Sequence, residues 1–263
     1  MQRLSQKDGA PARLLAEVTS ASTFGARVAA ADALGRIDGP GSVRALAEAL
    51  RDPSPHVRSA AAQALGELGA RGGVEALVRA LKDPSPAVRW EAARSLGRVA
   101  NGRSAFALIP ALRDQNEMVR IEAAEALGAA GDRRALPALR RSLSDRSWLV
   151  RSYAAEAIGR LGAGSDVPRL SRAMRRERVD RAKVGFLLGL YFLGQPLGLK
   201  GLVGLLESPQ SAARSAAVGA LNWIADCFSA ALTDRAFLHR LRRAGRPRRY
   251  RGVSQGLPSP AKR

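Results

Sequence analysis

The apolar residues of this chain fall into two short patterns that take turns along it. Val43, Leu46 and Leu50 stand at i, i+3 and i+7, and Val74, Leu77 and Leu81 repeat that spacing. Each trio therefore lies on one face of a helix. A polar turn follows, Asp52-Pro53-Ser54-Pro55 in one case and Asp83-Pro84-Ser85-Pro86 in the next. Ser54 and Ser85 suit an N-cap, and the proline after each suits the first helical position, whose N–H has no intrahelical partner to lose. A second apolar series then runs through Val57, Ala61, Ala64, Leu65 and Leu68. Its counterparts are Val88, Ala92, Ser95, Leu96 and Val99, then Val119, Ala123, Ala126, Leu127 and Ala130. The predicted unit is a short helix, a turn and a longer helix.

The unit recurs every 31 residues. Arginine keeps that step at Arg27, Arg58, Arg89, Arg120 and Arg151, and glycine at Gly35, Gly66, Gly97, Gly128 and Gly159. Aspartate keeps it at Asp52, Asp83, Asp114 and Asp145, and a long apolar residue at Leu50, Leu81, Leu112, Leu143, Met174 and Leu205. A glycine inside a helix costs about 1 kcal/mol relative to alanine, so the glycine register predicts close approach of the next helix. Gly69, Gly131 and Gly162 are expected to end their helices. One helix pair cannot bury its apolar face alone, whereas stacked copies can. The expected fold is all-α: an α-solenoid of about six such pairs with a C-terminal capping helix.

The string Asp-x-x-x-x-Val-Arg-x-x-Ala-Ala-x-Ala-Leu-Gly stands here as Asp52, Val57-Arg58, Ala61-Ala62 and Ala64-Leu65-Gly66, and recurs from Asp83, Asp114 and Asp145. It resembles HEAT repeats of the short phycobilisome-lyase type, over about residues 12 to 228. The resemblance implies that the arginine and aspartate registers (Asp52, Arg58, Asp83, Arg89, Asp114, Arg120, Asp145, Arg151) form an internal ladder tying one repeat to the next. A binding stripe along the arginines is the alternative. It also implies that the exposed edges of the second helices line a concave groove. The groove candidates are Gln63, Glu67, Trp90, Arg94, Arg98, Glu125, Glu156 and Arg160, whose charges are mixed in sign.

The pattern loosens after residue 162. Arg176 stands where aspartate is expected, Arg181-Ala182 replaces Val-Arg, and the glycine moves to Gly189. Residues 184–193 are nearly all apolar, which predicts a helix covered on more than one side. The next unit has Glu207 for aspartate and Arg214 one position late. A last amphipathic helix is expected after Thr233, carrying Phe237, Leu238 and Leu241 and ending near Gly245. The expected domains are an N-terminal arm over 1–11, the repeat solenoid over 12–245 and a basic, disordered tail over 246–263.

Charge alters this picture in two places. The formal net charge is +20, which draws a chain toward polyanions. Residues 166–197 carry a net +4 and residues 229–263 a net +9. Arg169, Arg172 and Arg176 share one helical stripe, and Arg175, Arg178, Arg181 and Lys183 crowd the same region. In the tail, Arg242, Arg243, Arg246, Arg248, Arg249 and Arg251 surround Tyr250, an arrangement that could neutralise phosphates and stack a base. Both clusters are candidate polyanion sites, with a solvated basic surface as the plain alternative. No groove-entering motif predicts sequence-specific contact.

Catalytic chemistry finds few residues. His56 and His239 are the only histidines and neither precedes a glutamate, unlike the His-Glu ligand pairs of the similar deoxyhypusine hydroxylases. Cys227 is the sole cysteine, so an intrachain disulfide is excluded and a reducing cytoplasm fits. The N-terminus has no apolar signal segment, and residues 184–193 are about half a membrane span. No cofactor, metal or catalytic set is expected. The sequence points to a non-enzymatic scaffold or adaptor that binds another protein, with polyanion binding as the alternative. A bilin-lyase-like subunit and a HEAT-like DNA glycosylase are more distant alternatives.

Overall fold

The computed structural model describes residues 21–69, 71–99 and 102–233. The expected arm, the helix after Thr233 and the basic tail lie outside the described residues. The chain divides into two compact units, Met1–Ser142 and Leu143–Arg263. Among the described residues all regular structure is helical.

The first unit holds α1 (Phe24–Leu34), α2 (Pro40–Ala49), α3 (Pro55–Glu67), α4 (Val74–Ala80), α5 (Pro86–Val99), α6 (Gly102–Leu108), α7 (Glu117–Ala130) and α8 (Leu136–Ser142). Short and long helices alternate, and each long helix lies along the next: α1 on α3, α3 on α5, α5 on α7. Two leucine registers fill the space between layers. Leu34, Leu65, Leu96 and Leu127 come from the long helices and Leu46, Leu77, Leu108 and Leu139 from the short ones, all fully buried. Burying each such side chain is worth about 2 kcal/mol.

Small residues set the spacing of the long helices. A Cβ added at Gly97 would lie 2.7 Å from the Ala126 Cβ, so the glycine lets α5 and α7 touch. The Ser95 hydroxyl, buried in the same seam, donates to the Ala62 carbonyl at 2.8 Å and pins α5 to α3. Gly131 caps α7 in the left-handed conformation, with φ of 77°. The caps at the other end differ from the sequence expectation. Ser54 occupies the N-cap of α3, but its hydroxyl makes no capping bond. The Asp52 carboxylate instead accepts the Ser54 N–H at 2.8 Å, and Asp83 and Asp114 hold Ser85 and Asn116 in the same way. The turn is thus closed by the aspartate two residues earlier.

The second unit holds α9 (Trp148–Leu161), α10 (Val167–Arg176), α11 (Asp180–Phe192), α12 (Pro196–Gly204) and α13 (Ser211–Thr233). α11 packs against α9, α10, α12 and α13, which accounts for its apolar sequence. Val184, Leu187 and Leu188 meet Leu202 of α12 and Ala220 and Ile224 of α13 in one cluster. The cover seen over α11 therefore includes α13, which lies before the C-terminal segment. Gly159 and Gly189 face each other: a Cβ at Gly159 would come 2.8 Å from the Gly189 carbonyl carbon. Gly162 ends α9 in an extended conformation (φ −75°, ψ −166°), unlike Gly131. Trp148, expected in a turn, is the first residue of α9.

Candidate functional site

The arginine and aspartate registers meet across the repeats of the first unit. Arg27 binds Asp52, Arg58 binds Asp83 and Arg89 binds Asp114, each through Nε and Nη2 in a two-point pair of 2.7–3.0 Å. Each arginine also turns Nη1 back onto its own turn: Arg58 donates to the Asp52 and Pro53 carbonyls at 2.8 and 3.1 Å. Arg120 makes the same backward contacts with the carbonyls of Asp114 and Gln115. Burial alone would raise Asp83, but the bonds from Arg58 and the Ser85 N–H outweigh it and hold its carboxyl below the usual range. These arginines are largely occupied inside the fold. The Arg58 side chain is only 14% exposed.

In the second unit the ladder continues where the sequence pattern had broken. Arg151 pairs with Glu177 at 2.7 and 2.9 Å, and reaches back to the Asp145 and Arg146 carbonyls. The Asp145 carboxylate accepts the Ser147 N–H. Glu177, one position after Arg176, replaces aspartate, its longer side chain covering the shift. The ladder cation always lies six residues after the ladder carboxylate, and six residues after Glu177 is Lys183. Its ammonium is held by Asp180 at 2.7 Å, and Asp180 also accepts from Ser208 at 3.0 Å. Lys183 is therefore ion-paired within α11, unlike the exposed arginines that crowd the same region. Arg214 likewise stands six residues after Ser208 and donates to the Ser208 and Pro209 carbonyls. The fixed offset of six was the sequence signal for both.

The groove candidates divide between the units. In the first, Gln63 donates to Glu67 at 2.8 Å on α3, and Arg98 and Glu125 are exposed on α5 and α7. Trp90 is half-buried, with the Arg94 guanidinium 5.4 Å over its ring. Two glutamates that the sequence reading passed over lie among them. Glu91 on α5 is buried, and its Oε1 has no hydrogen-bond partner. Glu122 on α7 is pushed up to about 7 by burial and then by the neighbouring charge of Glu125. Their signal was register: Glu91 and Glu122 are 31 residues apart, as are Arg94 and Glu125.

In the second unit, Glu156 and Arg160 pair at 2.6 Å on α9. The Arg160 guanidinium also stands 5.2 Å over Phe192 and 5.7 Å over Trp223. Phe192 and Trp223 meet edge to face. Beside them is a cleft of about 250 Å³ lined by Glu156, Arg160, Val184, Leu188, Ala216 and Trp223. Trp223 remains 42% exposed. On α10 and the turn after it, Arg169, Arg172, Arg175, Arg176 and Arg178 are exposed and form no ion pair among the described residues. Arg181 is exposed too, lying 5.5 Å over the Trp148 ring. The tail arginines, Arg242 to Arg251, lie outside the described residues. Among the described residues no group of acidic, histidine or cysteine side chains could hold a metal, and no helix is long and apolar enough to cross a membrane.

Paired helices at a 31-residue step, tied by arginine–carboxylate pairs, define an α-solenoid repeat protein. The HEAT-repeat model matches residues 11–72, 45–108 and 105–190, and the chain belongs to the HEAT-repeat family. Among solved structures it resembles one from the complex of CpcE and CpcF of phycocyanin lyase from Nostoc sp. PCC7120. The identity is 26% and the TM-score 0.53, covering 81% of this chain and 92% of that one. Escherichia coli YibA is similar in fold, at 21% identity and a TM-score of 0.59 over 81% of each chain. So is an engineered protein, at 23% identity and 0.52, over 82% of this chain and 68% of that one. A search of curated proteins returned no match.

Proposed function

We propose that this chain is a non-enzymatic, cytoplasmic HEAT-repeat adaptor that docks another protein. The observation carrying this reading is the surface around Trp223, where a half-exposed tryptophan, a stacked arginine and an open cleft occur together. Tryptophan and arginine dominate the energetic centres of protein interfaces. The likeness to a chain from the CpcE–CpcF complex adds support, because that chain belongs to a complex of two proteins. To test it, tagged native chain and a Trp223→Ala variant are returned to their own cells, captured and washed at high salt. The native chain should retain a defined protein set that the variant loses by about 30-fold, the effect of removing a 2 kcal/mol anchor. Equal recovery from both chains would remove this surface from consideration.

One observation favours a second reading, polyanion binding: the exposed arginines of α10 with no carboxylate to neutralise them. Salt dependence separates the two, since phosphate contacts weaken steeply with salt and an aromatic anchor does not.

A further inference from the structure

A chain of net charge +20 places four carboxylates on one face of its first unit. Glu67, Glu91, Glu122 and Glu125 come from α3, α5 and α7, and the first three occupy successive long helices. Glu91 senses the charge of Glu67, and Glu122 senses Glu125 and Glu91, so the four form one electrostatic group. Two guanidiniums answer them, Arg94 and Arg98.

The answer is incomplete at Glu91. Its side chain is 4% exposed, and the Arg94 Nη1 stands 3.8 Å from Oε2, beyond hydrogen-bond reach. Oε1 has no hydrogen-bond partner, and burial raises the Glu91 carboxyl against the opposing charges of Arg94 and Arg98. A buried carboxylate oxygen without a donor is a standing cost that a ligand's N–H groups would remove. At Glu122 next to it, burial favours the neutral form. The face has carboxylates in excess of its cations, and the excess is concentrated where water is scarce.

We propose that this face seats an arginine-bearing segment of a partner protein, with one guanidinium inserted between Glu91 and Glu122 and further cations met by Glu67 and Glu125. The spacing favours an extended peptide over a single small amine. Packed helices stand about 10 Å apart, so α3 to α7 span about 20 Å, the length of about six residues of extended chain. A planar guanidinium matches paired carboxylate oxygens in a way that an ammonium does not. The inference rests on the adaptor reading and adds to it the chemistry of the partner.

The test uses the full chain and a fluorescent, end-blocked octapeptide of alternating arginine and serine, followed by anisotropy. A twin with citrulline for arginine serves as the uncharged control. The arginine peptide should bind and the citrulline peptide should not. Glu91→Gln and Glu122→Gln should each weaken binding by about 10-fold, while Glu48→Gln, on exposed α2, should leave it unchanged. Binding should also tighten as pH rises. The groups facing Glu122 are Glu125, Glu91 and Arg94, and its carboxyl titrates at about 7. From pH 6 to pH 8 it passes from mostly neutral to mostly ionised, so affinity should rise up to about 10-fold in the native chain and stay flat in Glu122→Gln.

Both glutamine variants remove a buried charge and should melt no lower than the native chain at pH 8. If one melts lower, the pH arm on the native chain decides. Failure of the arginine peptide to bind, or binding by both variants as tight as by the native chain, overturns the proposal. So does a peptide copying residues 242–251 that binds about 10-fold tighter than the generic one, since the seat would then belong to this chain's own tail. Loss of peptide binding alongside intact Trp223-dependent capture removes this seat alone, and loss of both removes the adaptor reading.

Discussion

A guanidinium bonded to two carbonyls of its own turn and to a carboxylate of the next repeat is fixed in direction as well as distance. Arg58 is in that position, with its side chain 14% exposed and Asp83 9% exposed. Removing it strands a shielded carboxylate, so Arg58→Ala should destabilise the chain by about 3 kcal/mol in urea unfolding. Arg58→Lys should recover only part of this, because an ammonium cannot make the two-point contact. If alanine costs less than about 1 kcal/mol, the pair is no stronger than an exposed ion pair. The pH dependence follows from the same residues. Asp52, Asp83 and Asp114 are held below their ordinary range: burial, the largest single effect, pulls upward, and the arginine hydrogen bond, the turn N–H and the arginine charges together pull further downward. Their contribution is present above the unfolded carboxylate value, near 4, and is lost as pH falls through the lower folded values.

At the scale of elements, the helix pairs were legible because one period is written in four residue types at once. Val57, Leu65, Leu96 and Leu127 all entered the core where the period put them. The less regular half was harder for a physical reason. Between Asp145 and Glu177 the spacing is 32 residues instead of 31, and a longer carboxylate absorbs the extra residue. Matching residue type at a fixed step misses that compensation, whereas the six-residue link between carboxylate and cation survives it. The candidate site was less legible than the fold. Glu91 and Glu122 are ordinary helix residues in sequence, and only packing shows that one is buried with an oxygen unpaired. The stacking of Arg160 on Trp223 needs α9 and α13 packed against the same helix, α11, with the two side chains 63 residues apart in sequence.

The same scale holds the test of α10. Leu170 buries one side of this helix and leaves Arg169, Arg172 and Arg176 on the other. Replacing all three with alanine should lower the slope of log affinity against log salt by about 2 for single-stranded RNA, if each contacts a phosphate. An unchanged slope would assign the net charge of +20 to solubility and the tail.

For the whole molecule, basic character and an acidic seat coexist on one chain. The first unit carries Glu91 and Glu122, shielded and short of cations. The second carries a stripe of unpaired arginines on α10 and an aromatic cleft beside Trp223. HEAT repeats leave long helical faces free while the ladder secures the interior, so each unit can present its own chemistry without disturbing the core. Function on this account is recognition, and the Trp223 surface is where it should appear first.

The most direct measurement places a photoreactive phenylalanine analogue at position 223 of the full chain and irradiates it in its native cells. The account predicts one discrete protein adduct, diminished by Arg160→Ala and absent when the analogue stands at position 48. Adducts with nucleic acid alone, or none above the level at position 48, would contradict it.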